Sequence, residues 1–209
     1  MNLQLFKWLA TPPDHFPYEV NQPHNIFLIT GHSGVGKTTY CQQLCDSAQT
    51  NGWRVGGLLS VPVIVDAQKV AIALLDVATG EQRPLATLHP PLGAQTAWPP
   101  PGNRVTTGKW LFDPTVLTWG NEVLSRITAV DLLIIDELGP LEFEQEQGLR
   151  AAFDLIATGQ YRMAAVVIRP SLLKQAQQRW PEAQPLPISP QNTTLPPQNP
   201  IPPLRKGAV

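Results

Sequence analysis

The chain has 209 residues, of which 43% are hydrophobic and 15% charged, and its net charge is −1. This length predicts one domain with a sizeable core. The near-neutral charge argues against a nucleic-acid partner, because neutralising phosphates requires a basic surface. The longest apolar runs, such as Val70–Leu75, have the length of a strand, so we expect no membrane partner either.

Prolines and cysteines predict where the chain is ordered and where it resides. Nine of the 23 prolines lie in residues 181–209. We expect an irregular lead-in over residues 1–24, a folded domain over 25–189 and a disordered Pro-rich tail over 190–209. The tail is also a candidate docking segment for a partner protein. Cys41 and Cys45 are predicted to pack in the core, and the absence of a signal-peptide pattern favours a cytoplasmic location.

The first half of the chain alternates apolar runs with turn signals. Asn25–Thr30 is a continuous apolar run, which is typical of a strand buried on both faces. A Gly-rich segment follows, and a helix is predicted from there to about Thr50. Three β-rich runs at hairpin-length spacing predict further strands over Val55–Val65, Lys69–Val77 and Arg83–Leu88.

The second half predicts helices alternating with buried strands. Asp113-Pro114 supplies an N-cap followed by proline at the first helical position, so a helix is expected to about Thr128. The later predictions are a strand over Asp131–Asp136, a helix over Gln145–Ala157, a strand over Met163–Ile168, a helix over Ser171–Arg179 and an edge strand over Pro185–Ser189. These elements predict an α/β fold, in which a mixed, mostly parallel sheet with inserted β-hairpins is flanked by helices.

The segment after the first strand reads GHSGVGKT and fits G-x-x-x-x-G-K-[ST] at every fixed position. The glycines let the loop wrap closely around phosphates, and the next helix directs its positive N-terminus to the same place. Lys37 is expected to reach the β- and γ-phosphates, where it takes part in catalysis, and the Thr38 hydroxyl to bind Mg²⁺. The predicted nucleotide-binding residues are Gly31, His32, Ser33, Gly34, Val35, Gly36, Lys37, Thr38 and Thr39.

An acidic pair, Asp136-Glu137, ends the second buried strand. Asp136 is predicted to complete the Mg²⁺ site that Thr38 begins. Glu137 is predicted to be the catalytic carboxylate, which orients a water for attack on the γ-phosphate. Asp136–Gly139 also fits the D-x-x-G of GTP-binding switch proteins, but the guanine-reading N-K-x-D element is absent from the sequence. The pair therefore favours hydrolysis by a catalytic glutamate.

Beyond these motifs, the chain resembles the small nucleoside-triphosphatases of the THEP type, the family that includes the cancer-related nucleoside-triphosphatase. The resemblance spans about residues 25–190. It rests on Val55-Gly56-Gly57, Leu75-Asp76 followed by Thr79-Gly80-Glu81, Gly108-Lys109-Trp110, and above all Asp136-Glu137-Leu138-Gly139-Pro140-Leu141-Glu142.

The resemblance implies a RecA-like P-loop fold and Mg²⁺-dependent hydrolysis of several nucleoside triphosphates with little base selectivity. It also implies that Glu137 is catalytic. The chain departs from the family after the second strand, where residues 60–64 contain neither the usual acid nor the usual arginine. A second arginine that the family carries aligns with Thr106 of this chain. Arg169, which directly follows a buried strand, is a candidate to stabilise transition-state charge, with a solvated strand-end arginine as the alternative.

Two further functions stay open at this point. A small kinase would pass the γ-phosphoryl group to another molecule, but residues 80–110 offer only Arg83 and Arg104 for the arginine-rich lid that such enzymes carry. A nucleotide-binding regulatory module with weak hydrolysis would be consistent with the missing family residues.

Overall fold

The computed structural model describes residues 3–10, 25–88 and 105–189. Six helices are found in these ranges: α1 (Leu3–Leu9), α2 (Lys37–Thr50), α3 (Pro114–Ser125), α4 (Pro140–Phe143), α5 (Ala151–Thr158) and α6 (Leu173–Arg179). The strands are β1 (Asn25–Thr30), β2 (Val55–Val65), β3 (Gln68–Asp76), β4 (Gln82–Leu88), β5 (Val105–Thr107), β6 (Trp110–Phe112), β7 (Val130–Leu138), β8 (Tyr161–Ile168) and β9 (Gln184–Pro187). None of the described helices is long and apolar enough to cross a membrane.

All nine strands join one sheet in the order β5-β6-β4-β3-β2-β7-β8-β1-β9. Five adjacent strands of this sheet pair in parallel, in the order β2-β7-β8-β1-β9. The hairpin strands β3, β4, β6 and β5 extend the sheet with antiparallel pairs. The predicted mixed sheet with inserted hairpins is therefore confirmed. Half rather than most of the pairings are parallel, because short turns join β2 to β3, β3 to β4 and β5 to β6 as antiparallel neighbours.

Each face of the sheet carries its own hydrophobic layer, as the continuous apolar strands predict. On one face, Phe27 and Ile29 of β1 pack with the buried side of α2, which consists of Tyr40, Cys41, Leu44, Cys45 and Ala48. On the other face, Ile26 and Leu28 pack with α3, α5 and α6. Both cysteines are buried and free, so their predicted packing role is confirmed.

Two predicted segments differ from the structure. Residues 3–9, expected to be irregular, form α1, because Leu5 and Leu9 are buried in the same layer as α2 and Phe6 packs edge-on against Tyr40 at 5.5 Å. The helix expected over 145–157 begins only at Ala151. The rest of the predicted lead-in, residues 89–104 and the predicted tail over 190–209 lie outside the described residues.

A buried glutamate explains the late start of α5. The carboxylate of Glu142 accepts hydrogen bonds from the backbone N–H groups of Gly139 (2.8 Å) and Leu149 (2.9 Å). It occupies the space that a Cβ at Gly148 would need, and Gly148 has a φ of 74°. This left-handed residue interrupts the helix, so residues 145–150 form a turn around the carboxylate.

Gly57 allows β2 to lie against β7. Its φ is 120°, and a Cβ there would overlap the carbonyl oxygen of Ile134, its register partner. This pairing brings the next residues of β2 beside the end of β7, where Asp136 lies. Gly57 of the Val55-Gly56-Gly57 segment is therefore a packing requirement.

We expect Gly57→Ala to destabilise the protein by about 3 kcal/mol or more, because the added methyl group meets rigid backbone. In thermal unfolding this corresponds to a loss of roughly 6–12 °C in Tm for a chain of this size. Gly80→Ala is the matched control, since Gly80 also has positive φ (77°) but open space around the Cβ position. It should cost only about 1 kcal/mol of backbone strain. Equal losses in the two variants would contradict this account.

Candidate functional site

The glycine-rich loop lies between the end of β1 and the start of α2, as its motif predicts. Gly36 adopts the left-handed conformation, with φ of 93°, directly before the helix. Nζ of Lys37 reaches back across the loop and donates hydrogen bonds to the carbonyl oxygens of Gly31 (2.8 Å) and His32 (2.9 Å). The loop is thus closed around the ammonium group that its motif assigns to phosphates.

Asp136 lies buried beside this loop, with 2% of its surface exposed. Its carboxylate accepts hydrogen bonds from the Thr38 hydroxyl and from the backbone N–H of Ser60, the latter at 3.3 Å. The Ser60 hydroxyl donates to the carbonyl oxygen of Asp136. Burial raises the pKa of Asp136 to about 6, although the Thr38 bond opposes this shift. The structure therefore brings together the two residues predicted to bind Mg²⁺.

Glu137 and Arg169 form an ion pair in the same place. Nε of Arg169 lies 2.5 Å from Oε1 of Glu137, and the side chains are 44% and 30% exposed. Glu137 belongs to the end of β7, and Arg169 follows β8, the next strand in the sheet. Arg169 thus lies where the sequence predicts it, directly after the carboxyl end of a parallel strand. In open α/β sheets, ligands bind at this end of the strands.

A cavity of about 580 Å³ unites these groups. Its wall includes Lys37, Thr38, Asp136, Glu137 and Arg169, together with Gly31, His32 and Ser33 of the loop. The other predicted nucleotide-binding residues, Gly34, Val35, Gly36 and Thr39, are outside this lining, and their contacts with nucleotide remain predictions. A volume of this size is in the range of small-molecule sites.

Sequence reasoning did not assign the wall of the cavity that the hairpins form. Lys69 and Ser60 from the β2–β3 hairpin line it, with Lys109 and Trp110 from the β5–β6 hairpin. Gly108-Lys109-Trp110 was visible as part of the family pattern, whereas Lys69 stands in no motif. Glu142, which ends the acidic motif, also lines the cavity, but its carboxylate is occupied by the backbone hydrogen bonds of the α4–α5 turn.

A family model described as NTPase matches residues 26–193 of the chain. The chain belongs to the NTPase family. Relatives named nucleoside-triphosphatase THEP1 include those of Caldivirga maquilingensis, which is 30% identical over 62% of this chain and 67% of its own length, and of Thermococcus kodakarensis, which is 28% identical over 66% and 74%. The protein is thus an enzyme of a nucleoside-triphosphatase family. The resemblance to the THEP-type nucleoside-triphosphatases, seen in the sequence, is confirmed.

Two solved structures share the fold. A human cancer-related nucleoside triphosphatase superimposes with a TM-score of 0.60 at 20% identity, covering 81% of this chain and 91% of that one. THEP1 from Aquifex aeolicus gives a TM-score of 0.54 at 18% identity, covering 80% and 91%. These similarities confirm the P-loop NTPase fold.

The raised pKa of Asp136 predicts a pH-dependent stability. Because its pKa is raised from 3.8 to about 6 by burial, the folded protein binds more protons than the unfolded chain between these values. The contribution of Asp136 to the free energy of unfolding therefore falls as pH rises from about 4 to about 6. Asp136→Asn cannot ionise. When the pH is raised from about 4 to about 8, its free energy of unfolding should therefore increase by about 1–3 kcal/mol relative to that of the wild type.

Denaturant unfolding of both proteins at the two pH values, without added metal or nucleotide, measures this difference. Asp154→Asn is the control, because it makes the same replacement at an exposed position on α5. A stability difference for Asp136→Asn that is independent of pH would contradict the prediction.

Proposed function

We propose that the protein hydrolyses nucleoside triphosphates to diphosphate and phosphate, with Mg²⁺ as cofactor and with little selectivity for the base. The observation that carries this proposal is the convergence of the loop lysine, the Thr38–Asp136 pair and Glu137 on one cavity. These groups bind phosphates, hold a divalent cation and activate water, respectively. Broad base selectivity is inferred from the family resemblance and from the absence of a guanine-reading element in the sequence.

Lys37 and the loop bind the phosphates in this proposal. The Lys37 ammonium exchanges the carbonyl oxygens of Gly31 and His32 for the more negative oxygens of the β- and γ-phosphates. The N-terminus of α2 adds its positive dipole at the same point. Since these contacts involve only phosphates, they bind every nucleoside triphosphate alike.

The donor set at Thr38 and Asp136 is suited to Mg²⁺. A hydroxyl and a carboxylate are hard oxygen ligands, and Mg²⁺ characteristically takes one or two protein ligands while the phosphates and water supply the rest. The described residues contain no cluster of three or more His, Cys, Asp or Glu side chains, which a metal held by protein alone would need. When bound, Mg²⁺ neutralises phosphate charge; Asp136, buried and negative above about pH 6, favours a cation beside it.

Glu137 acts as the general base, and Arg169 controls its availability. In the structure the guanidinium of Arg169 holds the Glu137 carboxylate. A γ-phosphate competes for that guanidinium, which leaves the carboxylate to accept a hydrogen bond from the attacking water. Arg169 then stabilises charge on the phosphoryl oxygens. The ion pair thereby links activation of the water to the presence of substrate.

The geometry favours hydrolysis over the two alternatives. Arg83, one of two arginines considered for a kinase lid, lies over the ring of Trp119 at 4.5 Å and pairs with Glu81. It is therefore engaged away from the cavity, and Arg104 lies outside the described residues. A module with only residual hydrolysis would not need Glu137 and Arg169 kept together at the phosphate site. We retain the cytoplasmic location and a docking role for the tail as proposals.

We expect Glu137→Gln to lower kcat by ~10²-fold or more, because glutamine cannot accept a proton from water. Affinity for the triphosphate should be retained or increased, since one negative charge near the γ-phosphate is removed. Phosphate release and calorimetry with a panel of nucleoside triphosphates and Mg²⁺ measure both quantities. Glu144→Gln removes the same charge from an exposed position and serves as the control. Turnover of Glu137→Gln at the wild-type rate would rule out this mechanism.

Arg169→Ala should lower kcat about 10-fold or more while leaving the Kd for the nucleoside diphosphate nearly unchanged, because the guanidinium acts mainly on the transferring group. Steady-state kinetics and diphosphate titrations separate the two effects. The control is Arg126→Ala, which removes an exposed arginine that pairs with Glu122 on α3. An unchanged kcat would return Arg169 to the role of a solvated strand-end residue.

A further inference from the structure

Lys69 faces the catalytic groups from the hairpin side of the cavity. It lies at the start of β3 and lines the same cavity as Lys37 and Glu137. The P-loop provides the positive charge on one side of this space, and Lys69 provides positive charge on the side formed by the hairpins. The proposed hydrolysis assigns no role to it so far.

A β-bulge directs Lys69 into the cavity. In the β2–β3 pairing, Val63 lies opposite Ala71 but Ile64 lies opposite Lys69, so Val70 is an extra residue on β3. Lys69 and Ile72 both line the cavity, although residues three apart on a regular strand point to opposite faces. The single inserted residue restores them to one face, which is the way bulges redirect side chains beside active sites.

The ammonium group of Lys69 is held by an aromatic ring and has no carboxylate partner. Its Nζ lies 5.1 Å from the ring centre of Trp110, a cation–π contact that limits where the group can be. Among the described residues, no ion pair includes Lys69. Glu137 and Asp136 are the carboxylates whose charges raise its pKa, against a larger lowering by burial. The Lys69 charge thus lies near enough to Glu137 and Asp136 to interact with them, but it forms an ion pair with neither.

Two other cations of the cavity have polar protein partners. Lys37 is bonded to loop carbonyls, and Arg169 is paired with Glu137. Lys109 also approaches Trp110, at 5.5 Å, and like Lys69 it is exposed and joins no ion pair among the described residues. Phosphoryl transfer distributes negative charge over the three γ-oxygens, and cations from more than one side stabilise it. Lys69 is placed to supply the side that the P-loop does not reach.

We propose that Lys69 is a catalytic residue, whose ammonium contacts the γ-phosphoryl group from the hairpin side and stabilises its charge during transfer to water. This inference rests on the proposed hydrolysis. Residues 60–64 of the second strand contain no arginine, so Lys69 is a cation that the hairpin supplies to this side of the site. The lysine reaches the site from the following strand, with the bulge at Val70 as the device that brings it there.

Lys69→Met tests the proposal, because methionine keeps an unbranched apolar stem against Trp110 and removes only the charge. We expect kcat to fall roughly 10- to 100-fold, with the Kd for ADP changed less than about 3-fold. Affinity for ADP with aluminium fluoride, which mimics the transferring phosphoryl group, should fall at least about 10-fold. Lys69→Arg should recover most of the lost rate, since it restores the charge. Lys174→Met, on the exposed face of α6, is the matched control for folding and activity.

Several results would overturn the inference. Wild-type kcat and wild-type aluminium fluoride affinity in Lys69→Met would exclude a contact with the γ-phosphoryl group. Equal losses of ADP and ADP–aluminium fluoride affinity would make Lys69 a binding residue without catalytic effect. An equal drop in Lys109→Met would assign the effect to the total charge of the cavity.

The wild type and Glu137→Gln, assayed in parallel, separate this inference from the function it rests on. If the wild type turns over, Glu137→Gln does not, and Lys69→Met does, only the role of Lys69 fails. If the wild type releases no phosphate from any triphosphate, the proposed hydrolysis fails and the role of Lys69 fails with it. Circular dichroism melting of Lys69→Met confirms that any loss is not due to unfolding.

Discussion

The parallel register of three neighbouring strands is the constraint on which the site depends. Ile168 at the end of β8 lies opposite Thr30 of β1 on one side and Leu138 of β7 on the other. The three strands therefore end at one edge of the sheet. The phosphate loop after β1, the acidic pair at the end of β7 and Arg169 after β8 are therefore brought to the same place. The burial of these strands on both faces makes their ends rigid supports for the groups proposed to be catalytic.

Polar groups at this edge are held by protein partners that resemble the proposed ligands. Loop carbonyls hold Lys37, the Thr38 hydroxyl meets Asp136, and Arg169 meets Glu137. Each contact satisfies a charged or polar group that would otherwise lose hydration in a partly buried cavity. In the proposed reaction, phosphate oxygens, a cation and water take over these contacts one for one. The same pairing therefore serves both stability and the chemistry.

The antiparallel half of the sheet contributes a separate wall. Its hairpins extend the sheet past β2, and one extra residue on β3 sets which side chains face the cavity. Ser60 links the two halves, because it bonds to Asp136 at the end of β7 while belonging to the first hairpin strand. Gly57 allows this link by letting β2 approach the backbone of β7. The glycine that lets β2 approach β7 and the bonds from Ser60 to Asp136 are thus parts of one packing arrangement.

The sequence by itself determined the buried strands, the phosphate loop and the acidic pair, because these depend on local composition: continuous apolar runs, glycines at fixed spacing and acids at a strand end. The N-cap at Asp113 was local in the same sense, and its side chain accepts from Thr115 as predicted. Only the tertiary structure decided the helix over residues 3–9, the late start of α5 around Glu142 and the position of Lys69. These features depend on burial against distant elements, on a carboxylate bonded across a turn and on a bulge in strand pairing. Such contacts form between residues that are distant in the sequence, so no short stretch of residues encodes them alone.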